Sequence, residues 1–562
     1  MPIRNSRSVI LPSERLSPAQ GSWPLRFEPG ERTARRAAGE WPGLTLAGVA
    51  TRMAQDHPDD IAVMDECGAL DYATCLRRAT DMARGLYEIG LHPGDTVSFQ
   101  LPNWTEAVIL NVACALGGFV INPVIPIYRQ AELTFILADC RARIAFIPER
   151  WRGVDYGAIY EELRADLPGL KAVATVRGAG ELTFEDIEAR GRDAHHALQA
   201  ADPDDAKLII YTSGTTGQPK GVLYSHNQSR RPLSQSFETW GLKAGDTLLM
   251  PSPVTHVTGY SYGMEMPFQF GTRTILMERW DAAEALAISR REQVDFMIGA
   301  TPFLAELASE AEKFGERLPS LRIYACGGAA VPPALIDRAN RLFENCRAFR
   351  VFGSSECPMV TQGCLDDPDR AARSDGRVND WEVKIVDDED QPLPPGIEGE
   401  ILARGPSLFR GYTDPEATKE AFDSQGYFRT GDLGILTADG VLTVTGRKKD
   451  IIIRGGENLS AKEIEDALHT HPAIKEAAVV SMPHDRLGEG VCAYVIPATS
   501  APMPSVAQLV DFLKQYGLAR QKCPDRIEAV NDLPRTASGK VQKHILRNMI
   551  REKLRGEAGN PS

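Results

Sequence analysis

The stretch Tyr211-Thr-Ser-Gly-Thr-Thr-Gly-Gln-Pro-Lys-Gly-Val222 directly follows the apolar run Lys207-Leu-Ile-Ile210. The run reads as a buried strand, and the glycine- and hydroxyl-rich stretch as a loop that cradles phosphate. Gly214, Gly217 and Gly221 let the backbone turn tightly, so that its N–H groups can face an anion. Ser213, Thr215 and Thr216 add hydroxyl donors, and Lys220 adds a positive charge. It is not a Walker loop, because Gln218-Pro219 separates Gly217 from Lys220 and Gly221 follows the lysine.

The rest of the composition limits what this loop can serve. A chain of 562 residues is too long for one core and calls for three or four compact units. The formal net charge of -13 argues against a general nucleic-acid binder, which needs a basic face. Local basic loops must therefore hold any phosphate ligand. Ten cysteines from Cys67 to Cys523, with no Cys-x-x-Cys pair, match neither a disulfide framework nor a zinc site. No window reaches the length of a membrane span. The start has arginine and serine but no apolar signal core, and Pro2, Pro12, Pro18 and Pro24 would break an amphipathic helix. Residues 1–44 are therefore read as an irregular arm of a cytoplasmic protein.

Outward from the loop the chain alternates helical and strand-like segments. Tyr72–Gly90 and Thr105–Leu116 carry apolar residues at helical spacing, and Gly94–Phe99 reads as turn then strand. Thr247–Met250, Thr272–Met277, Asp295–Ile298, Arg322–Cys326 and Ala348–Val351 read as short buried strands between helices. Two layered α/β subdomains, 45–200 and 201–358, are expected to face each other across a cleft. Residues 359–448 change to short alternating runs with many turns, a small β-rich subdomain. Residues 449–562 read as a small α+β C-terminal lid, with strands near Ile451–Ile453, Ala477–Ser481 and Val491–Val495 and helices over Ala461–Thr470 and Val506–Tyr516.

Together with the loop, four further segments, Val351-Phe-Gly-Ser-Ser-Glu356, Thr430-Gly-Asp432, Gly446-Arg-Lys-Lys-Asp450 and Pro534-Arg-Thr-Ala-Ser-Gly-Lys540, resemble the signature series of the acyl-adenylating (AMP-forming) superfamily. The likeness is strongest to its short- and medium-chain acyl-CoA synthetases and cyclohexanecarboxylate-CoA ligases. It implies ATP, Mg²⁺ and coenzyme A as reactants and cofactor, and a mobile lid. By the same resemblance Thr212, Ser213, Gly214, Thr215, Thr216, Gly217 and Lys220 hold the β- and γ-phosphates, and Glu356 with Thr212 holds Mg²⁺. Phe352 stacks on adenine beside Gly353, Ser354 and Ser355, where Ser355 replaces the family's more usual threonine. Gly327, Gly328 and Ala329 complete the nucleotide set. Asp432 takes both ribose hydroxyls, Arg447 contacts the nucleotide, and Lys540 bridges the substrate carboxylate and the α-phosphate. Lys449 is the implied hinge, about which the lid turns to present Gly455 and Gly456 to the thiol's tunnel. The resemblance also makes His256 the gate for the carboxylate and lines the acyl pocket with Gly259, Tyr260, Gly263, Met264, Gly299, Ala300, Phe303 and Cys326.

None of those pocket side chains is charged, which implies an apolar acyl group. A medium-chain, alicyclic or aryl acid is compatible; an amino acid is disfavoured, because Val257-Thr-Gly-Tyr-Ser-Tyr262 offers no aspartate for an ammonium. The expected activity is an acid–CoA ligase that works through acyl-AMP. The alternatives are an acyl-AMP ligase that loads an acyl carrier protein, and a non-catalytic nucleotide-binding relative. The small carboxylic acid and CoA are the expected partners, without nucleic acid or an integral membrane segment. A homodimer and a lysine acetyltransferase acting on Lys540 are compatible with the sequence. There is no His-Glu-x-x-His, no Gly-x-Ser-x-Gly and no complete Rossmann glycine series.

Overall fold

The computed structural model describes residues 23–199, 201–212, 219–498, 503–536 and 539–558. Two large sheets lie in the first 358 residues. A seven-stranded sheet runs in the order Arg347–Val351, Ile323–Gly327, Phe296–Gly299, Thr247–Met250, Arg273–Leu276, Ile61–Asp65 and Gly68–Asp71, parallel except for its last pair. A six-stranded sheet runs Lys220–Ser225, Ala206–Thr212, Val120–Pro123, Thr96–Phe99, Ala142–Pro148 and Ala172–Val176, parallel except for its first pair. Each sheet takes strands from both sides of residue 200, so the chain crosses between the layers twice. Parallel strands covered on both faces need continuous apolar runs. Leu208, Ile209 and Ile210 supply one, each at most 1% exposed.

The helices start where polar caps permit. Asp71 accepts the Thr74 N–H and opens the helix Tyr72–Glu88, and Thr45 accepts the Gly48 N–H to open Leu46–Asp56. The helix Thr105–Gly117 ends at Gly118, whose φ of 67° suits only a residue without a Cβ penalty. This helix is buried along nearly its whole length and packs between the two large sheets' layers, which explains why its sequence is apolar all round.

A five-stranded antiparallel sheet, Gly376–Arg377, Val441–Arg447, Phe428–Leu436, Glu398–Arg404 and Glu382–Val386, forms the β-rich unit. Arg350 and Asp375 tie it to the seven-stranded sheet through a buried two-pronged ion pair with contacts of 2.7 Å. Loss of either partner alone would cost about 3–5 kcal/mol, because the other charge would stay buried. The C-terminal sheet joins Glu457–Leu459, Ile452–Arg454, Gly488–Pro497 and Ile474–His484, with Arg526–Ala529 added in parallel. The helix Lys543–Ala558, which the sequence reading did not draw, packs on this sheet through Leu546 and Ile550.

The expectation of an irregular arm needs correction for residues 23–44. Glu31–Ala37 is helical, and Trp23 and Trp41 are buried. Trp41 Nε1 donates to Pro406 O at 3.0 Å, and the Arg410 guanidinium lies between the rings of Phe27 and Trp41. Two indoles and a guanidinium face give this segment enough burial to hold a fixed course without a long helix.

Candidate active site

The strand Ala206–Thr212 leads into the glycine- and hydroxyl-rich stretch, and the chain returns as the strand Lys220–Ser225, which begins with Lys220. Ser213, Gly214, Thr215, Thr216 and Gly217 lie outside the described residues. The return strand is fixed from the far side by the segment Arg410–Thr413. Leu223 N–H donates to Gly411 O at 2.9 Å, and Thr413 N–H to Gly221 O at 2.8 Å. Gly221 has no room for a side chain here, because a Cβ would stand 2.7 Å from Thr413 Cγ2.

The loop after Val351 brings a carboxylate to this edge. Ser354 Oγ accepts the Glu356 N–H at 3.2 Å and donates to its Oε2 at 2.9 Å, which folds the Ser354–Glu356 turn. Glu356 Oε1 accepts from Tyr412 OH at 3.1 Å and from Thr212 Oγ1 at 3.5 Å. Lys220 Nζ lies 5.0 Å from the Tyr412 ring centroid, and Tyr224 OH donates to Ser355 O. Tyr412 and Tyr224 are residues that motif reading missed. Their signal was weak: one tyrosine inside Arg410-Gly-Tyr-Thr-Asp-Pro-Glu416 and another two positions beyond the loop's last quoted residue. Glu356 and Thr212 offer hard oxygen donors on one side only. That donor set suits a magnesium ion shared with substrate phosphates rather than one caged by protein. Among the described residues no group of three or more His, Cys, Asp or Glu could hold a metal by itself.

Asp432 and Arg447 are cross-strand partners in the antiparallel pair Phe428–Leu436 and Val441–Arg447. Arg447 Nε donates to Asp432 Oδ1 at 2.8 Å, while Asp432 N–H donates to Thr430 Oγ1 at 3.0 Å. Asp432 is 4% exposed. Burial pushes its carboxyl up, and the charges of Arg447 and Lys540 pull against that shift.

Lys540 reaches the same cleft from the C-terminal unit. Its loop closes on itself: Thr536 N–H donates to Lys540 O at 2.8 Å and Lys540 N–H to Thr536 Oγ1 at 3.1 Å. Gly539 sits at φ 84°, and a Cβ there would touch Ala300 and Pro302. A Cβ on Gly328 would likewise stand 3.9 Å from Lys540 Cε. The loop therefore lies against the large body with its ammonium inside. Desolvation lowers the Lys540 pKa to about 8, helped by Arg447 and Lys449 and opposed by Asp432 and Glu356. His256 belongs to the same neighbourhood. Its pKa falls to about 3, first from burial and then from the charge of Lys540. Its Nδ1 accepts the Thr258 N–H at 3.4 Å, which leaves the ring's proton on Nε2.

The cleft encloses about 1140 Å³. Of the anticipated residues, Gly328, Ala329, Phe352, Gly353, Asp432, Arg447, Lys449, Lys540, Ala300 and Phe303 line it. Gly455 and Gly456 do not; they form an exposed hairpin turn with φ of 62° and 90°. The anticipated acyl residues divide. Tyr260, Met264 and Cys326 show no exposure at all, and Cys326's thiol is pushed up to about 12 by burial. Gly259, Gly263 and Gly299 are close-approach points rather than cavity lining: a Cβ would stand 2.1 Å from Pro253 O, 3.1 Å from Met250 Cγ and 2.9 Å from Phe303 Cδ2 respectively. Gly327 similarly abuts Val351 O, at 2.7 Å.

Comparison with known proteins agrees with this geometry. Residues 50–413 match the model of the AMP-binding enzyme family, and residues 463–540 match the AMP-binding enzyme C-terminal domain. The chain is 36% identical over 538 residues to the medium-chain fatty-acid–CoA ligase of Escherichia coli strain K12, covering 94% of each chain. It is 33% identical over 533 residues to the salicyl-AMP ligase / salicyl-S-ArCP synthetase of Mycobacterium tuberculosis strain H37Rv, covering 92% of this chain and 93% of that one. The crystal structure of ATP-bound MatB from Rhodopseudomonas palustris superposes with a TM-score of 0.80 at 28% identity, covering 91% of this chain and 100% of that one. By these matches the chain belongs to the AMP-binding enzyme family, and it is an ATP-dependent enzyme of the acyl-adenylate-forming kind.

Proposed function

We propose that the enzyme activates an apolar carboxylic acid as acyl-AMP and then passes the acyl group to the thiol of a phosphopantetheine arm. The placement of Lys540 carries this reading. One ammonium from the C-terminal unit enters a cleft lined by Asp432 and Arg447 and lies near enough to Glu356 and His256 to feel their charge or shift it. Charge would gather there as the acid attacks the α-phosphorus and pyrophosphate leaves. Lys540 would hold the carboxylate and α-phosphate together, and Asp432 would accept both ribose hydroxyls with its two oxygens. Lys220 and the loop would take the departing phosphates, while Phe352 would cover the adenine. Magnesium, held by Glu356 and Thr212, would neutralise phosphate charge. Neutral His256, with its proton on Nε2, could donate a hydrogen bond to the acid without competing for Lys540.

Ala300 and Phe303, the described acid-side lining, carry no charge, which favours an aliphatic, alicyclic or aryl acid over an ionic one. The thiol is carried either by free CoA or by a carrier protein. The Escherichia coli relative's name supports the first, and the Mycobacterium tuberculosis relative's name supports the second. For the transfer step, Lys449 is the proposed hinge of residues 449–562, and Gly455 and Gly456 the turn that would then face the thiol.

Pyrophosphate release over linear, alicyclic and aromatic acids tests the first step. Thioester formation from the best acid, with CoA in one arm and a phosphopantetheinylated carrier protein in the other, then assigns the acceptor. Absence of acid-dependent pyrophosphate release across the panel would overturn the proposal.

A further inference from the structure

Lys207 is an anomaly in a buried parallel strand, being 2% exposed beside Leu208, Ile209 and Ile210. Its ammonium meets the carboxylate of Glu265, which has no exposure at all. Burial lowers the Lys207 pKa well below a lysine's ordinary value. Beside the pair, the Lys207 Nζ lies 5.2 Å from the Tyr260 ring centroid, Tyr260 OH donates to Asn111 Oδ1 at 2.7 Å, and the buried His226 imidazole is held neutral by burial and then by the charge of Lys207.

The two residues belong to elements with different tasks. Lys207 lies five positions before Thr212, on the strand that feeds the phosphate loop. Glu265 closes the π-helical turn Gly259–Glu265, whose Tyr260 N–H donates to His256 O at 2.8 Å. The Met266 N–H returns to Ser261 O, five residues back, which marks the wide turn. A π turn holds one residue more than an α turn and can relax by a shift of one position. Such a shift would rotate the side chains on one side of it by about 100°. The contact at Glu265 fixes the last residue of the turn to the phosphate-loop strand and so blocks that shift.

A pair of this kind is a poor device for stability, since an apolar pair of similar volume is usually neutral or better. Its attested use is to specify register. We propose that Lys207 and Glu265 are positioning residues that hold the π-helical turn in register against the strand Ala206–Thr212, and that this turn thereby sets which acyl groups the enzyme accepts. The turn bonds His256 O through Tyr260 N–H and packs Gly259 on Ser252, the residue that Gly299 approaches from the Ala300–Phe303 wall. The proposal rests on the function proposed above.

The test uses binding of non-hydrolysable acylsulfamoyl adenosines carrying butanoyl, octanoyl, dodecanoyl or benzoyl groups, measured on the full chain. The variant is Lys207→Met/Glu265→Leu, with Lys207→Ile/Glu265→Met carrying the same readout should the first not fold. The parent's preference between its best and next-best ligand is expected to fall at least about tenfold, the discrimination that one or two methylenes carry in an apolar pocket. ATP affinity should stay within about twofold, and the midpoint of thermal unfolding should be equal or higher. A variant that keeps the parent's preference within about twofold overturns the role of the pair and leaves the acyl-adenylate reading standing. A parent that binds none of the four overturns both.

Discussion

The sides of the site proposed for the nucleotide and for the acid are built in opposite ways. On the side proposed to hold the nucleotide, Glu356, Asp432, Arg447 and Lys540 come from four separate segments and are held by explicit hydrogen bonds, each to a named partner or within its own loop. On the acid side, Gly259, Gly263 and Gly299 let backbone and rings approach closely, and the shape follows from packing alone. Polar placement needs particular side chains at particular points, so it leaves motifs. Packing needs only total volume and direction, which many sequences can supply. The difference means that substitutions on the first side should remove chemistry, while those on the second should change preference.

The largest expected effect is Lys540→Ala, which should lower acyl-AMP formation by about a thousandfold, the scale of losing an oriented charge-stabilising group. Supplied acyl-AMP should still be converted to thioester, and loss of both steps would erase the assigned division of labour. Next is the pH dependence of pyrophosphate release. The proposed role of Lys540 needs its ammonium form, and its pKa is lowered to about 8 by burial. The rate should therefore hold below pH 8 and fall about tenfold per unit above it. His256, with a pKa of about 3, should add no limb between pH 5 and 8. The neighbours facing Lys540 are Arg447, Asp432, Glu356, Lys449 and His256, and Lys540→Arg should remove the alkaline limb from the measured range if it retains activity.

On the acid side, Phe303→Ala removes a ring packed on Gly299 and 4.8 Å from the Trp280 ring centroid. It should shift the preference among acids toward bulkier ones by about tenfold, with the ATP KM within about twofold. An equal change in both KM values would dissolve the contrast between the two sides. The smallest expected effect is Tyr412→Phe. It removes one hydrogen bond to Glu356, worth about 1 kcal/mol, and should raise the magnesium concentration for half-maximal pyrophosphate release about fivefold. An unchanged magnesium requirement would show that Tyr412 packs without orienting the carboxylate.

The same contrast explains what could be read before the structure. Thr247–Met250 was drawn with the observed ends, and the helices beginning at Tyr72, Thr105, Ala461 and Val506 were drawn with theirs to within two residues. Apolar periodicity and caps are local, so a one-dimensional reading sees them. The segment 23–44 was missed because its order comes from Arg410 and Pro406, the latter 365 positions from Trp41. Tyr412 and Tyr224 were missed for the same reason: each matters only through a partner on a distant loop.

By itself the sequence determined the layered α/β class, because apolar periodicity is local, and the acyl-adenylate chemistry, because five motifs in order resemble one superfamily. Only the tertiary structure decided that Lys207 is buried against Glu265, that most of the anticipated acyl residues are packing contacts rather than open lining, and that strands from both sides of residue 200 share each sheet. Those facts depend on distances between segments far apart in the chain, and burial, unlike periodicity, is a property of the whole packed molecule.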